Sequence, residues 1–135
     1  MIKLLIVDDH AVIREGLRKL LSLDEDIQVL GTASHSDEAI RFLSTFKVDI
    51  ILLDISMPGR SGLEILPEIK LIQPEAKVIV LSMHKESQFV TRAMKSGASG
   101  YLTKELVSQE IIKAVKHVTN GGLYFFTGLE EISSI

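Results

Sequence analysis

Five residues in this chain carry side chains suited to chemistry, and each ends or follows a short apolar run. Asp8 and Asp9 end Leu4-Leu5-Ile6-Val7, Asp54 ends Ile50-Ile51-Leu52-Leu53, and Ser82 ends Val78-Ile79-Val80-Leu81. Lys104 follows the shorter run Gly100-Tyr101-Leu102. Apolar runs that stop at reactive side chains read as parallel strands ending at a site. In open α/β sheets the ligand crevice lies beyond the carboxyl ends of the strands. The carboxylates, the hydroxyl and the ammonium would then meet in one place.

That set suits a divalent metal and a phosphoryl group. A hard cation such as Mg²⁺ takes oxygen ligands in octahedral geometry and keeps several waters. Asp9 and Asp54 could supply carboxylates, Asp8 a further one directly or through water, and Ser56 its backbone carbonyl. Crowded carboxylates repel one another, and a metal would hold them ionised. An ionised Asp54 can attack phosphorus, as carboxylates do in aspartyl-phosphate enzymes. Phosphoryl transfer then needs charge neutralisation around the equatorial oxygens. The metal, Lys104 and Ser82 would provide it.

Each residue also has an ordinary reading. Asp9 alone would be a helix cap and Asp54 alone a turn residue. Ser82 alone would end a strand, and Lys104 alone would be a solvated charge. Their coincidence at matching strand ends decides for a site. His10 and His84 invite a metal reading, but a carboxylate cluster favours an oxygen-bound ion. Lys113, Lys116 and His117 make a mildly basic strip, read as a solvated face with a dimer contact as the alternative.

The elements that position these residues alternate regularly. Ile2 to Val7 reads as a strand covered on both faces. Ile13, Leu17, Leu20 and Leu21 repeat with helical spacing. Strands follow at 28–33, 48–53, 77–81 and 100–102. Helices follow around Ala39, Ile40 and Leu43, around Phe89 to Met94 with Gly97 as C-cap, and from Ser108 to Gly121-Gly122. Ser108 is the expected N-cap of the last helix, with Val107 and Ile112 as a hydrophobic staple. Ser61 and Glu64 read as a capping box, yet Pro67 would then fall inside the helix. That helix is expected to start a residue or two after Ser61, with Pro67 in its first turn. Five strand–helix units in alternation imply a doubly wound parallel sheet of order 2-1-3-4-5 with five helices.

Composition narrows the class. The chain has 135 residues, 46% of them hydrophobic, which fits one domain. The net charge of −3 gives no electrostatic footprint of DNA binding by this chain. Without cysteine there are no disulfides or thiolate metal sites. No apolar stretch approaches the roughly 20 residues that span a bilayer. Met1 leads straight into a strand pattern, so a secretory signal is not expected. The expected location is the cytoplasm, with no membrane partner.

The chain resembles the receiver domain of bacterial two-component response regulators. The matching pieces are Leu5-Ile6-Val7-Asp8-Asp9-His10, Leu53-Asp54-Ile55-Ser56-Met57-Pro58-Gly59, Leu81-Ser82-Met83-His84, Gly97-Ala98-Ser99-Gly100-Tyr101-Leu102 and Lys104. Asp9-His10, Met57-Pro58-Gly59, Ser61-Gly62-Leu63-Glu64 and Asn120-Gly121-Gly122-Leu123-Tyr124 resemble the LuxR-type helix-turn-helix (NarL/FixJ-like) subgroup. The resemblance implies a flavodoxin-like (CheY-like) fold over residues 1–122, with 123–135 a tail or the start of a linker. It implies that Asp54 accepts phosphate from a histidine kinase or a small donor. Asp8, Asp9, Asp54 and the Ser56 carbonyl would hold Mg²⁺ or Mn²⁺, and Ser82 and Lys104 would bind phosphoryl oxygens. Ser82 and Tyr101 would form the switch, Ser82 moving to the phosphate so that Tyr101 turns inward and alters the helix 4–strand 5–helix 5 face. Ser56 and His84 would tune phosphate lifetime.

A homodimer on phosphorylation is a further implication. DNA binding would belong to a C-terminal domain absent from this chain, since residues 123–135 cannot hold a helix-turn-helix. Many receivers have a cis proline after the lysine; Glu105 stands there instead, which leaves the Lys104–Glu105 peptide open. The competing reading is a metal-dependent phosphatase or phosphotransferase with a covalent Asp54. Such enzymes use an Asp-x-Asp pair, and here the second position is Ser56, which cannot act as general acid. A substrate-covering domain has no room in these 135 residues either. The chain is therefore expected to switch rather than to turn over an external substrate.

Overall fold

The computed structural model describes residues 1–126. Its elements are β1 (Ile2–Val7), α1 (Ala11–Leu21), β2 (Ile27–Ala33), α2 (Ser36–Thr45), β3 (Ile50–Asp54), α3 (Gly62–Ile72), β4 (Lys77–Ser82), α4 (Ser87–Lys95), β5 (Gly100–Thr103), α5 (Val107–Thr119) and β6 (Tyr124–Phe126). The order across the sheet is β2-β1-β3-β4-β5-β6, and every pairing is parallel. The expected order 2-1-3-4-5 is present and is extended by a sixth strand. That strand falls where the sequence predicts a tail; the remainder of the predicted tail, 127–135, lies outside the described residues.

Strand alternation divides the core in two. Leu5, Val7, Ile51, Leu53, Val78 and Val80 face α2, α3 and α4. Leu4, Ile6, Ile50, Leu52, Ile79 and Leu81 face α1 and α5. All of these strand residues are fully buried, which is why their runs show no polar alternation. Each such side chain stabilises the fold by about 1.5–3 kcal/mol.

Two helices depart from the expectation, α3 in the place of Pro67 and α5 in its start. The capping box closes at Ser61 itself. The Glu64 amide donates to Ser61 Oγ at 3.3 Å, and the Ser61 amide donates to Glu64 Oε1 at 3.1 Å. Helix α3 therefore begins at Gly62 and Pro67 lies in its interior. An interior proline costs about 3 kcal/mol. Burial of Leu63, Ile65, Leu66 and Ile69 on the same helix outweighs that cost. At the other boundary, a 3₁₀ turn over Lys104–Leu106 runs directly into α5. Val107 is already helical, so Ser108 is past the cap position and Leu106 stands there without a side-chain cap bond. No described peptide bond is cis, so the Lys104–Glu105 peptide is trans.

The register brings the reactive strand ends together. Val7 pairs with Leu53, which sets Asp8 beside Asp54. Asp54 pairs with Leu81, one residue before Ser82. Ser82 pairs with Thr103, one residue before Lys104.

Candidate functional site

The carboxylates of Asp8 and Asp54 are fully buried at the carboxyl edge of the sheet. Lys104 Nζ sits between them, 3.1 Å from Asp8 Oδ2 and 3.3 Å from Asp54 Oδ2. The ammonium is itself almost wholly covered, so the attraction is little screened by water. The Ser56 amide donates to Asp54 Oδ1 at 3.0 Å and holds the carboxylate from behind. Gly62 lets α3 press on the same backbone: a Cβ there would lie 2.5 Å from the Asp54 carbonyl oxygen and 2.9 Å from Ile55 Cα. Any larger residue would push the Asp54 strand end away. The sequence signal was present in Ser61-Gly62-Leu63-Glu64, but its spatial meaning was not.

Asp9 is partly exposed at the mouth of the site. His10 joins the cluster, although the sequence favours an ion site of oxygen donors alone. Its amide donates to Asp8 Oδ1 at 2.9 Å, and its Nδ1 lies 2.8 Å from that oxygen and 3.1 Å from Asp9 Oδ1. Arg14 donates from its guanidinium to the Asp8 carbonyl at 2.7 Å and fixes the start of the turn.

One ligand atom from each of Asp8, Asp9, His10 and Asp54 can be chosen so that all lie within 4.8 Å of one another. Asp8 Oδ2, Asp9 Oδ1 and Asp54 Oδ2 are buried yet accept no well-directed hydrogen bond. Buried carboxylate oxygens without donors are costly. Three clustered carboxylates facing one lysine form an acidic group compatible with a bound cation. Three of these four candidate donors are carboxylates, which fits a hard divalent ion. Burial pushes the Asp54 carboxyl above the usual carboxylate range, and the nearby Asp8 charge adds to the rise. The Ser56 amide and Lys104 oppose that rise without cancelling it.

The remaining expected residues lie beside this cluster. Ser82 is buried at the end of β4, and its Oγ accepts from the His84 amide at 2.9 Å. Tyr101 is completely buried and already points inward; its hydroxyl donates to the His84 carbonyl at 2.8 Å. His84 stacks on Phe89 with ring centroids 4.1 Å apart. Ser56 is exposed, and its amide rather than its side chain reaches Asp54. Glu105, in the place of the family's proline, forms an ion pair with Lys85 across the site's rim. In the basic strip, Lys116 is held by Asp24 at 2.7 Å and is half-buried, while Lys113 and His117 are exposed, His117 packing edge-on to Tyr124.

The profile of the response regulator receiver domain matches residues 4–116. The chain belongs to that family. This receiver is 37% identical to the response regulator UvrY of Escherichia coli K12, over 97% of the chain and 60% of UvrY. It is 37% identical to the transcriptional regulatory protein DegU of Brevibacillus brevis, over 91% of the chain and 52% of DegU. The chain thus spans between half and three-fifths of the length of these relatives. A solved LuxR-family two-component response regulator from Aurantimonas sp. SI85-9A1 superposes with a TM-score of 0.88 at 30% identity, over 95% of this chain and 91% of that one. The chain is accordingly the receiver domain of a two-component response regulator, a signalling module whose relatives include transcriptional regulators. Among the described residues no helix is long and apolar enough to cross a membrane.

Proposed function

We propose that this receiver accepts a phosphoryl group on Asp54 and that the resulting anion switches the α4–β5–α5 face. An Asp54 carboxylate oxygen attacks phosphorus. The bond to the donor's leaving group breaks, and that group departs as the imidazole of a kinase histidine or as acetate from acetyl phosphate. Lys104, already 3.3 Å from Asp54, and the Ser82 hydroxyl would take the phosphoryl oxygens. Asp8, Asp9, Asp54 and the Ser56 carbonyl would hold Mg²⁺, or Mn²⁺ in its place. When bound, the ion neutralises charge on the transferring group.

The observation that carries this reading is one buried lysine ion-paired to two buried carboxylates, with a third carboxylate, Asp9, close beside them. Such a group is incomplete as a structural ion pair and complete as a receptor for a cation and an oxyanion. Chemistry is then confined to self-phosphorylation from a donor and self-dephosphorylation, with no external substrate turned over. Ser56 and His84, two positions beyond Asp54 and Ser82, would set the lifetime of the acyl phosphate.

A sensor histidine kinase in the cytoplasm is the proposed donor. Residues 1–122 form the proposed receiver unit, with 123–135 leading toward a C-terminal DNA-binding domain in the parent protein. Phosphorylation would favour a homodimer of that protein, and DNA contact would come only through the further domain. Intact mass after incubation with acetyl phosphate and Mg²⁺ tests the reading. One added phosphoryl group is expected on the wild type and none on Asp54→Asn. Repeated turnover of a generic phosphate ester would instead favour the enzyme reading.

A further inference from the structure

Strand β6 is built into the fold by several independent features. The Tyr124 amide donates to the Ser99 carbonyl at 2.9 Å. Gly100 leaves room for the incoming strand: a Cβ there would lie 3.0 Å from the Tyr124 carbonyl oxygen and 3.1 Å from Ile79 Cγ1. The Tyr124 hydroxyl bonds the Glu110 carboxylate on α5. Phe125 has no exposed surface at all.

The register makes this strand a neighbour of the switch. Tyr101 pairs with Phe125, and paired residues of parallel strands point to the same face. Both rings belong to the buried cluster that includes Val90 and Ala93 of α4. Tyr101 is tied through His84 to Ser82: its hydroxyl donates to the His84 carbonyl, and the His84 amide donates to Ser82 Oγ. A continuous series of contacts therefore runs from the end of β4, beside Asp54, to the last described strand.

We propose that docking of β6 on the β5 edge is coupled through Tyr101 to the phosphorylation state of Asp54. This rests on the reading of Asp54 as phosphoacceptor and of Ser82 and Tyr101 as its switch. A three-residue edge strand is marginal by itself, so its docking depends on the burial of Phe125. Phe125 packs fully only while the Tyr101 ring fills the space beside it. A Tyr101 ring that leaves the cluster opens a void beneath Phe125 and loosens the strand. A phosphoryl group that draws Ser82 toward itself favours the inward ring and so favours docked β6. The coupling is reciprocal: docked β6 must strengthen phosphoryl-state binding by the same factor. The site would in this way set where the chain emerges after α5.

Hydrogen exchange on the full chain tests the coupling, with acetyl phosphate and Mg²⁺ as donor and intact mass run on the same samples. The amides of residues 124–126 are expected to exchange about fivefold or more slowly in the phosphorylated protein. Tyr101→Ala should still gain phosphoryl mass yet show no difference in β6 exchange between states. Phe125→Leu should speed β6 exchange and weaken binding of beryllofluoride with Mg²⁺. Equal β6 exchange in both states of the wild type, with the phosphoryl mass present, overturns the coupling and leaves the phosphoacceptor reading intact. Absence of the mass gain overturns both.

Discussion

Asp54 is held where its charge is least comfortable, and that strain has a pH signature. Burial, reinforced by Asp8, raises its pKa above the ordinary carboxylate value. Between those two values the folded chain binds more protons than the unfolded chain. Asp54 therefore takes stability from the metal-free protein as pH rises through that window, whereas Asp24 and Glu38, held low by hydrogen bonds from Lys116 and the Ser34 amide, add stability on its acid side. Asp54→Asn removes the destabilising contribution alone, so the variant's stability relative to the metal-free wild type should increase as pH rises through the window. Urea unfolding of both proteins across the acid-to-neutral range with a chelator present checks this; a difference that stays constant or shrinks as pH rises contradicts it. Asp8, Asp9, Asp54, Ser82 and Lys104 were legible in the sequence because each lies at the end of an apolar run, where topology alone fixes position. The Gly62 contact was not, nor was the place of the His10 ring beside Asp8 and Asp9, nor that Tyr101, expected to turn inward on phosphorylation, is inward already. They depend on rotamers and on helix approach, which spacing does not encode.

Helix α3 is where local preference and tertiary packing conflict. The capping box and four buried apolar residues keep Pro67 in the helix interior. Pro67→Ala restores an amide for the Leu63 carbonyl, a gain of about 3 kcal/mol. Loss of proline's restriction on the unfolded chain offsets up to about 1 kcal/mol of it. The net expectation is a stabilisation of about 2 kcal/mol in chemical denaturation, and a destabilised variant would contradict this account of α3. Periodicity located four helices and the first five strands, because burial on both faces leaves unbroken apolar runs and one-sided helices leave stripes; α3 was marked by its capping box instead. The two helix errors have different causes. In α3 the capping box marked the start correctly and burial keeps Pro67 in the interior, whereas at α5 a preceding 3₁₀ turn carries the helix past the Ser108 cap. Strand β6 escaped because three residues carry too little pattern, and its marker, Gly100 beneath the Tyr124 carbonyl, is a property of the neighbouring strand.

The whole molecule behaves as a frame that stores uncompensated negative charge at one edge and a packed aromatic pair near it. A divalent cation that binds only the folded form stabilises it by mass action. At a hundredfold excess over its Kd, Mg²⁺ should add about 2.7 kcal/mol. That corresponds to several degrees in Tm for a domain of this size. Asp9→Asn and Asp54→Asn should each lose most of that increment while retaining the fold, as read by thermal denaturation with and without the ion. An increment unchanged in both variants would place the ion elsewhere. The family, the sheet order and the meeting of the strand ends follow from the pattern of the whole chain.

The central claim is that the Asp54 side chain becomes an acyl phosphate. Borohydride reduces an acyl phosphate to an alcohol, which converts the modified aspartate to homoserine. The account predicts that protein treated with acetyl phosphate and Mg²⁺, then reduced and digested, carries homoserine at position 54. Reduction confined to another carboxylate, or none above the untreated control, would contradict it.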